Sequence, residues 1–261
     1  MENMEEETAS KGGLPIIRLV PNMVTITGLC LGLFAIKCAM AEKWQMAVIL
    51  VIIAAFVDGI DGRLARMLNA TSEFGAQLDS LSDFLNFGIA PALILYMWIG
   101  HDIKGIGWAV SLFFIVSMAL RLARFNSCLN DDRDPVIKDK FFQGIPAPCG
   151  AGLSLIPMIL TFLFDHKLHY HPFEITAEIT LVYMVVIAVF MVSRIPTISV
   201  KKIKISREYV SLFMAAVALF LISAVVEPWV TLPLLGLGYV LTIPFSIWQY
   251  YRIKFGKPPQ V

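Results

Sequence analysis

Four aspartates stand at regular spacing in a stretch that is otherwise mostly apolar or small. Asp58 and Asp61 are three positions apart, and Asp79 and Asp83 are four positions apart. Residues at these spacings share one face of an α-helix. A polar break at residues 69–71 lies between the two pairs and predicts that the chain turns back there. The sequence therefore predicts that four carboxylates converge at one end of two consecutive helices.

Carboxylates that converge in this way repel one another unless cations lie between them. Oxygen ligands suit Mg²⁺, Mn²⁺ or Ca²⁺ rather than zinc. Two such ions can bridge a diphosphate and stabilise both the attacking and the leaving oxygen. The pattern therefore predicts a divalent-metal site, with two ions, that performs phosphoryl transfer.

Residues beside the aspartates fit the same chemistry. Small side chains leave room for a phosphate and let helices pack closely, and arginines can pair with phosphate oxygens. The small neighbours are Gly59, Gly62, Ala65, Gly75 and Ala76, and the arginines are Arg63 and Arg66. Taken singly, each of these residues is better explained as a packing or anchoring residue. Their combination with four aspartates favours the phosphate site.

The helices that carry the aspartates are predicted to lie in a membrane. Of the 261 residues, 57% are hydrophobic and 16% are charged, whereas a soluble domain carries about 25% charged residues. Apolar segments of the length that a membrane-spanning helix needs cover residues 20–40, 45–67, 74–99, 106–128, 146–165, 174–193, 208–226 and 229–251. We therefore predict an all-α integral membrane protein with about eight transmembrane helices. The net charge of +1 gives no indication of a nucleic-acid partner.

The basic residues predict how the chain is oriented in the lipid bilayer. With both termini on one side, 17 of the 21 Lys and Arg residues lie on that side, and Lys37 lies within the first segment. The remaining three, in the opposite loops, are Lys43, Lys104 and Lys167. Because Lys and Arg concentrate in cytoplasmic loops, both termini and the aspartate site are predicted to be cytoplasmic.

The complete motif resembles the signature of a known enzyme family. It is Asp58-x2-Asp61-Gly62-x2-Ala65-Arg66-x8-Gly75-x3-Asp79-x3-Asp83. This spacing matches, at every fixed position, the signature of the CDP-alcohol phosphotransferase family. The resemblance implies a bundle of six core membrane helices, usually in a homodimer, with a divalent-metal site that opens to the cytoplasm.

The resemblance also divides the chain into segments. It covers most of residues 15–205, which we assign to the membrane core. Residues 1–14 are predicted to be a disordered cytoplasmic tail, residues 206–253 two additional transmembrane helices, and residues 254–261 a second cytoplasmic tail. An eight-helix chain is consistent with bacterial members of the family, which implies a bacterial-type inner (cytoplasmic) membrane.

A role for each aspartate is implied by the same resemblance. Asp58, Asp61 and Asp79 are expected to bind metal. Asp83 is expected to lie among these ligands and to act as general base for the acceptor alcohol. The segment Pro21-Asn22-x2-Thr25 resembles the start of the first family helix, near the nucleotide pocket. The residues implied to contact CDP-diacylglycerol are Asn22, Thr25, Gly62, Ala65, Arg66 and Gly75.

Sequences around the motif resemble the phosphatidylserine synthase branch of the family. The matching runs are residues 79–92, 121–126, 142–148 and 193–197. They imply that the phosphatidyl group of CDP-diacylglycerol passes to the hydroxyl of L-serine and that CMP is released. Arg121 and Arg124, three positions apart, are candidates to bind the serine carboxylate or a phosphate. Asn126 follows them in the same run and is a further candidate.

Two other functions stay open. The first is a sister enzyme that uses glycerol 3-phosphate, inositol phosphate or choline as its acceptor. The glycerol-phosphate branch typically has proline and lysine at the positions of Ser80 and Phe84, which argues against that acceptor. The second is a cation transporter. A transporter would need charges spread through the depth of several helices, whereas the acids here cluster at one end of two.

Overall fold

Helices make up nearly all of the chain that the structure describes. This computed structural model describes residues 19–127, 141–165, 175–193, 195–198 and 209–255. The helices are α1 (Val20–Met40), α2 (Trp44–Met67), α3 (Glu73–Trp98), α4 (Ile106–Ser127), α5 (Ala147–Ser154), α6 (Ile156–Leu163), α7 (Ala177–Val192), α8 (Val210–Val226) and α9 (Pro228–Phe255). Strands β1 (Phe141–Gln143) and β2 (Pro196–Ile198) form one short antiparallel pair. The predicted all-α architecture is confirmed, and the predicted tail at residues 1–14 lies outside the described residues.

Several of these helices have the length and composition of membrane spans. Within the described ranges, α1, α3, α4 and the Pro228–Tyr250 part of α9 are long and apolar enough to cross a bilayer. The apolar helices α7 and α8 are shorter. The chain is therefore a membrane-embedded protein. The number of spans, about eight, stays a prediction.

The fifth predicted segment, residues 146–165, consists of two helices rather than one. α5 and α6 meet at Leu155, which belongs to neither helix. Pro157 lies in the first turn of α6. Proline has no N–H to donate to the carbonyl four residues earlier, so the helical hydrogen-bond pattern is interrupted here.

α1 packs closely against both helices that carry the aspartates. It is joined to α2 by a tight turn in which Glu42 has a φ of 57°. Its buried residues recur every three or four positions and are mostly small: Pro21, Thr25, Gly28, Gly32, Ala35 and Ala39. A β-carbon at Gly28 would lie 3.5 Å from Val57 of α2, and Gly32 lies against Asn86 of α3. Small residues thus bring the three helices together at short range.

α3 changes its helical form just after the second pair of aspartates. Ser72 caps the N-terminus of α3, because its hydroxyl accepts a hydrogen bond from the N–H of Gly75 at 3.0 Å. Residues Phe84–Ile89 form a π-helical segment, a rare form that is frequent at functional sites. This segment buries Asn86. A polar side chain of α3 is thereby directed towards α1.

The last two helices differ in their contacts with the rest of the protein. None of the residues of α8 is buried, whereas α9 packs against α6 and β2. The rings of Phe162 in α6 and Trp229 in α9 meet edge to face with centroids 4.9 Å apart. Ile156 of α6 also fills the space that a side chain at Gly236 would need. These contacts fix α9 beside the core.

Candidate active site

Three of the four aspartates form one group of carboxylates. Asp58 and Asp61 come from the C-terminal half of α2, and Asp79 comes from the N-terminal half of α3. One oxygen from each carboxylate lies within 4.8 Å of the others. Oxygen atoms at this separation can ligate a common cation, so the structure brings together the residues that the spacing singled out.

Asp61 is buried and oriented by a hydrogen bond from α1. Its residue is 4% exposed, and its Oδ2 accepts a hydrogen bond from the Thr25 hydroxyl at 2.7 Å. This hydrogen bond therefore restrains the orientation of the Asp61 side chain. Thr25 was predicted at the nucleotide pocket, and in the structure its hydroxyl donates to the carboxylate of Asp61.

Polar side chains continue this contact into the apolar interior. The Ser82 hydroxyl donates to the carbonyl of Thr25 at 3.4 Å, and the side-chain amide of Asn86 donates to the Ser82 hydroxyl at 3.1 Å. The amide oxygen of Asn86 faces Gly32, with no room for a side chain between them. A Cα–H of Gly32 can thus serve as a weak donor to that oxygen.

Sequence reasoning missed Ser82, Asn86 and Gly32. The available signal was a pair of polar residues at i and i+4, Ser82 within the aspartate motif and Asn86 three positions after it. Such residues share a helix face and need partners when buried. Only the packing of α1 against α3 identifies the partners.

Asp83 lies beside the group of three but differs from them in its contacts. Its carboxyl group is within hydrogen-bonding range of Asp58. Its Oδ1 is buried and, among the described residues, has no hydrogen-bond partner. A buried carboxylate oxygen without a partner costs free energy unless a cation or a proton-bearing ligand satisfies it. The oxygens of Asp58, Asp61 and Asp79 could bind a divalent cation. The unpartnered oxygen of Asp83 could accept a hydrogen bond from a reacting hydroxyl.

The predicted contacts to CDP-diacylglycerol lie in two places around the carboxylates. Asn22 of α1 and Gly75 of α3 face each other, since a β-carbon at Gly75 would lie 2.9 Å from the Asn22 side-chain oxygen. A β-carbon at Gly62 would meet no described atom within 4 Å. Ala65 is half-buried and Arg66 exposed, both in the last turns of α2. Gly62 therefore borders open space beside the carboxylates, where a phosphate can approach.

The two arginines of α4 have different surroundings although they are one turn apart. The Nε of Arg121 donates to the carbonyl of Ile145 at 2.7 Å, and its guanidinium lies close enough to Asp83 to attract it. Arg124 donates to backbone carbonyls at the end of α7, those of Met191, Val192 and Ser193. Arg121 thus faces the carboxylates, and Arg124 holds the C-terminus of α7.

Gly144 lies beside the guanidinium of Arg124 and the end of α7. Gly144 has a φ of +74°, and a β-carbon there would lie 2.7 Å from the carbonyl oxygen of Met191 and 3.4 Å from the guanidinium of Arg124. Glycine is required because both the backbone conformation and the space exclude a side chain.

Asn126 donates to the Ser80 hydroxyl at 3.0 Å and so connects α4 to α3 on the exposed side of the site.

Comparison with known proteins agrees with this geometry. A family model described as CDP-alcohol phosphatidyltransferase matches residues 18–178, which is more than half of the chain and includes all four aspartates. The chain belongs to the CDP-alcohol phosphatidyltransferase family. A second model, described as CDP-alcohol phosphatidyltransferase 2, matches residues 208–244 in α8 and α9. Members of the family generally use a divalent metal, and the structure contains a cluster of aspartates that could hold one.

Curated relatives of this family are similar over most of the chain. A protein from Helicobacter pylori is 37% identical over 236 residues, which is 90% of this chain and 93% of the relative. A protein from Mycobacterium leprae is 34% identical over 232 residues, or 88% of this chain and 75% of the relative. A Bacillus subtilis protein is 34% identical over 146 residues, 56% of this chain and 77% of the relative. All three are named CDP-diacylglycerol–serine O-phosphatidyltransferase.

Proposed function

We propose that the chain transfers the phosphatidyl group of CDP-diacylglycerol to the hydroxyl of L-serine, giving phosphatidylserine and CMP. The observation that carries this proposal is the position of Asp83. Its buried Oδ1 has no hydrogen-bond partner among the described residues, and its carboxyl group lies close to Asp58 and to the guanidinium of Arg121. The names of the relatives support serine as the acceptor, since two of them align with about nine-tenths of the chain.

Asp58, Asp61 and Asp79 would hold the divalent metal, which we propose to be two ions of Mg²⁺ or Mn²⁺, with Ca²⁺ as the alternative. The bound metal would neutralise the diphosphate and stabilise the charge on the departing CMP. The Thr25 hydroxyl restrains the orientation of the Asp61 side chain. Fixed ligands lower the cost of reorganisation during the reaction.

Asp83 is proposed as the general base. It would take the proton from the serine hydroxyl, whose oxygen then attacks the lipid-side phosphorus. The bond between that phosphorus and the bridging oxygen breaks, and the electron pair leaves with CMP. Positioning of the two substrates supplies most of the remaining rate enhancement.

The proposed contacts to the substrates lie on two sides of the four carboxylates. We propose that Asn22, Thr25 and Gly75 border the nucleotide and that Gly62, Ala65 and Arg66 border the diphosphate. Arg121 is proposed to bind the serine carboxylate, because its guanidinium is directed at Asp83. Arg124 and Asn126, also predicted as acceptor contacts, would act by holding α7 and α3 in place.

The topology and assembly of the protein are part of the proposal. The distribution of Lys and Arg supports a multi-pass protein of a bacterial-type inner membrane, with both termini and the site cytoplasmic. Alkaline phosphatase fused after residue 227 should then be active outside the cytoplasm, and a fusion after residue 261 should be inactive. A homodimer in the lipid bilayer is proposed from the family resemblance, and chemical cross-linking in membranes tests it.

The decisive experiment for the reaction is an acceptor comparison. Purified protein is incubated with CDP-diacylglycerol and, separately, with labelled serine, glycerol 3-phosphate, inositol phosphate or choline, and the lipid products are separated. We expect labelled phosphatidylserine alone. Turnover of another acceptor with no product from serine would replace serine by that sister acceptor.

A further inference from the structure

Tyr239 of α9 places a buried hydroxyl next to the site without a partner. Among the described residues, no group makes a hydrogen bond to its phenolic oxygen, although the atom is shielded from solvent. Buried hydroxyls are normally paired, because an unpaired one loses its hydration without compensation. A ligand that enters the site can supply the missing partner.

The surroundings of Tyr239 connect it to the acceptor side of the reaction. Arg121 and Cys149 lie close enough to the phenol to interact with it electrostatically. The hydroxyl of Thr197 in β2 lies near enough to accept from the phenol, but it donates its own proton to the carbonyl of Gly144 at 2.8 Å, so the phenolic oxygen receives no hydrogen bond from it. Arg121 in turn faces Asp83. Arg121 of α4 therefore lies close to both Asp83 of α3 and Tyr239 of α9.

The packing of α9 explains why Tyr239 lies near Arg121. Gly236 precedes Tyr239 by three positions, so the two residues lie on the same helix face. Ile156 of α6 packs closely against Gly236, and Tyr239 packs against the buried core. α9 belongs to the part of the chain matched by the second family model, outside the match of residues 18–178.

Serine offers three polar groups, and each needs a different kind of partner. Its hydroxyl is assigned to Asp83 and its carboxylate to Arg121 under the proposed function. Its ammonium needs an acceptor, and the guanidinium of Arg121 can only donate. The phenolic oxygen of Tyr239 can accept. We propose that Tyr239 recognises the amino group of the serine acceptor by accepting a hydrogen bond from its ammonium.

This inference rests on the proposed function and is tested by Tyr239→Phe. The variant keeps the ring that packs against the core and removes only the hydroxyl. We expect the KM for serine to rise about tenfold or more, while kcat at saturating serine and the KM for CDP-diacylglycerol change less than about twofold. Tyr183→Phe is the matched control, because Tyr183 of α7 also packs against the core. It should leave all three constants unchanged.

An acceptor without an amino group separates recognition from general damage. Glycerate carries a hydroxyl in place of the ammonium. The wild type should prefer serine to glycerate, and Tyr239→Phe should lose most of that preference while Tyr183→Phe keeps it. An unchanged KM for serine, or an equal rise for serine and CDP-diacylglycerol, would overturn the inference and leave the proposed function intact. A wild type that makes no phosphatidylserine would overturn both.

Discussion

The donor side and the acceptor side of the site are built in different ways. The proposed donor side consists of Asp58, Asp61 and Asp79 with Thr25, and its residues come from three consecutive helices. The acceptor side consists of Arg121 and Tyr239, which are more than one hundred positions apart in the sequence. Side chains bond to one another on the donor side, whereas Arg121 is held by the backbone carbonyl of Ile145. A compact motif can thus encode the reaction chemistry, whereas the proposed acceptor contacts come from elements that are distant in the sequence.

Removal of divalent metal should disable the donor side completely. We expect phosphatidyl transfer to fall to background after treatment with a chelator, because the diphosphate then meets uncompensated carboxylates. Addition of Mg²⁺ or Mn²⁺ should restore CMP release, and a series with Ca²⁺ identifies the working ion. Persistent activity after exhaustive chelation would contradict a metal-binding role for the aspartate group.

Asp83→Asn should separate the chemical step from substrate binding. The amide cannot accept the proton of the serine hydroxyl, so kcat should fall about 10²–10⁴-fold. Initial rates of CMP release measure the effect. Asp102→Asn is the control, because Asp102 is 61% exposed and pairs with His101 away from the site. Full activity of Asp83→Asn would remove Asp83 from the mechanism, and metal-dependent CMP release by the wild type would exclude a cation transporter.

Arg121→Lys and Arg124→Lys should have different effects although the residues are one turn apart. Loss of the planar guanidinium at Arg121 should raise the KM for serine about 10- to 100-fold with little change in thermal stability. Lysine at Arg124 cannot keep all of the hydrogen bonds to the end of α7, so the free energy of unfolding should fall by about 1–3 kcal/mol. Steady-state kinetics and thermal melting in detergent measure both. Equal effects on the serine KM would show that both arginines bind the acceptor.

Gly32→Ala should perturb the donor side from the apolar interior. The added methyl group collides with the side-chain oxygen of Asn86, and overpacking of this kind costs about 1–3 kcal/mol. Gly238→Ala is the control, since a β-carbon there would meet no described atom within 4 Å. Thermal melting of the two variants gives the difference. Equal melting temperatures would mean that α1 and α3 can move apart to admit the methyl group without any loss of stability.

Ser72→Ala should have the smallest effect. It removes the hydroxyl that caps α3 by accepting from the N–H of Gly75, which should lower the free energy of unfolding by about 1 kcal/mol. Activity at low temperature should be retained, because the cap lies about two turns before Asp79 and about three turns before Asp83. A Ser72→Thr variant, which keeps the hydroxyl, should melt like the wild type.

Much of the fold could be predicted because the bilayer restricts the possible structures. A span must satisfy its backbone hydrogen bonds internally, so apolar segments of sufficient length become helices. The predicted segment boundaries fall close to α1 through α4. The exception was residues 146–165, where Pro157 divides the helix. The π-helical turn after Asp83 was also not predicted, because hydrophobic spacing does not distinguish it from an α-helix.

The reaction class could be inferred from the order and spacing of the residues alone. The spacing of Asp58, Asp61, Asp79 and Asp83 fixes which carboxylates share a helix face, and a short turn brings the two faces together. The assembly of the proposed acceptor side became visible in the packing of the helices. In the structure, Arg121 lies close to Asp83 and Tyr239 lies close to Arg121. Arg124 instead donates to the end of α7. The physical reason is that helical periodicity sets contacts within one helix and its neighbour, whereas contacts between distant helices depend on packing.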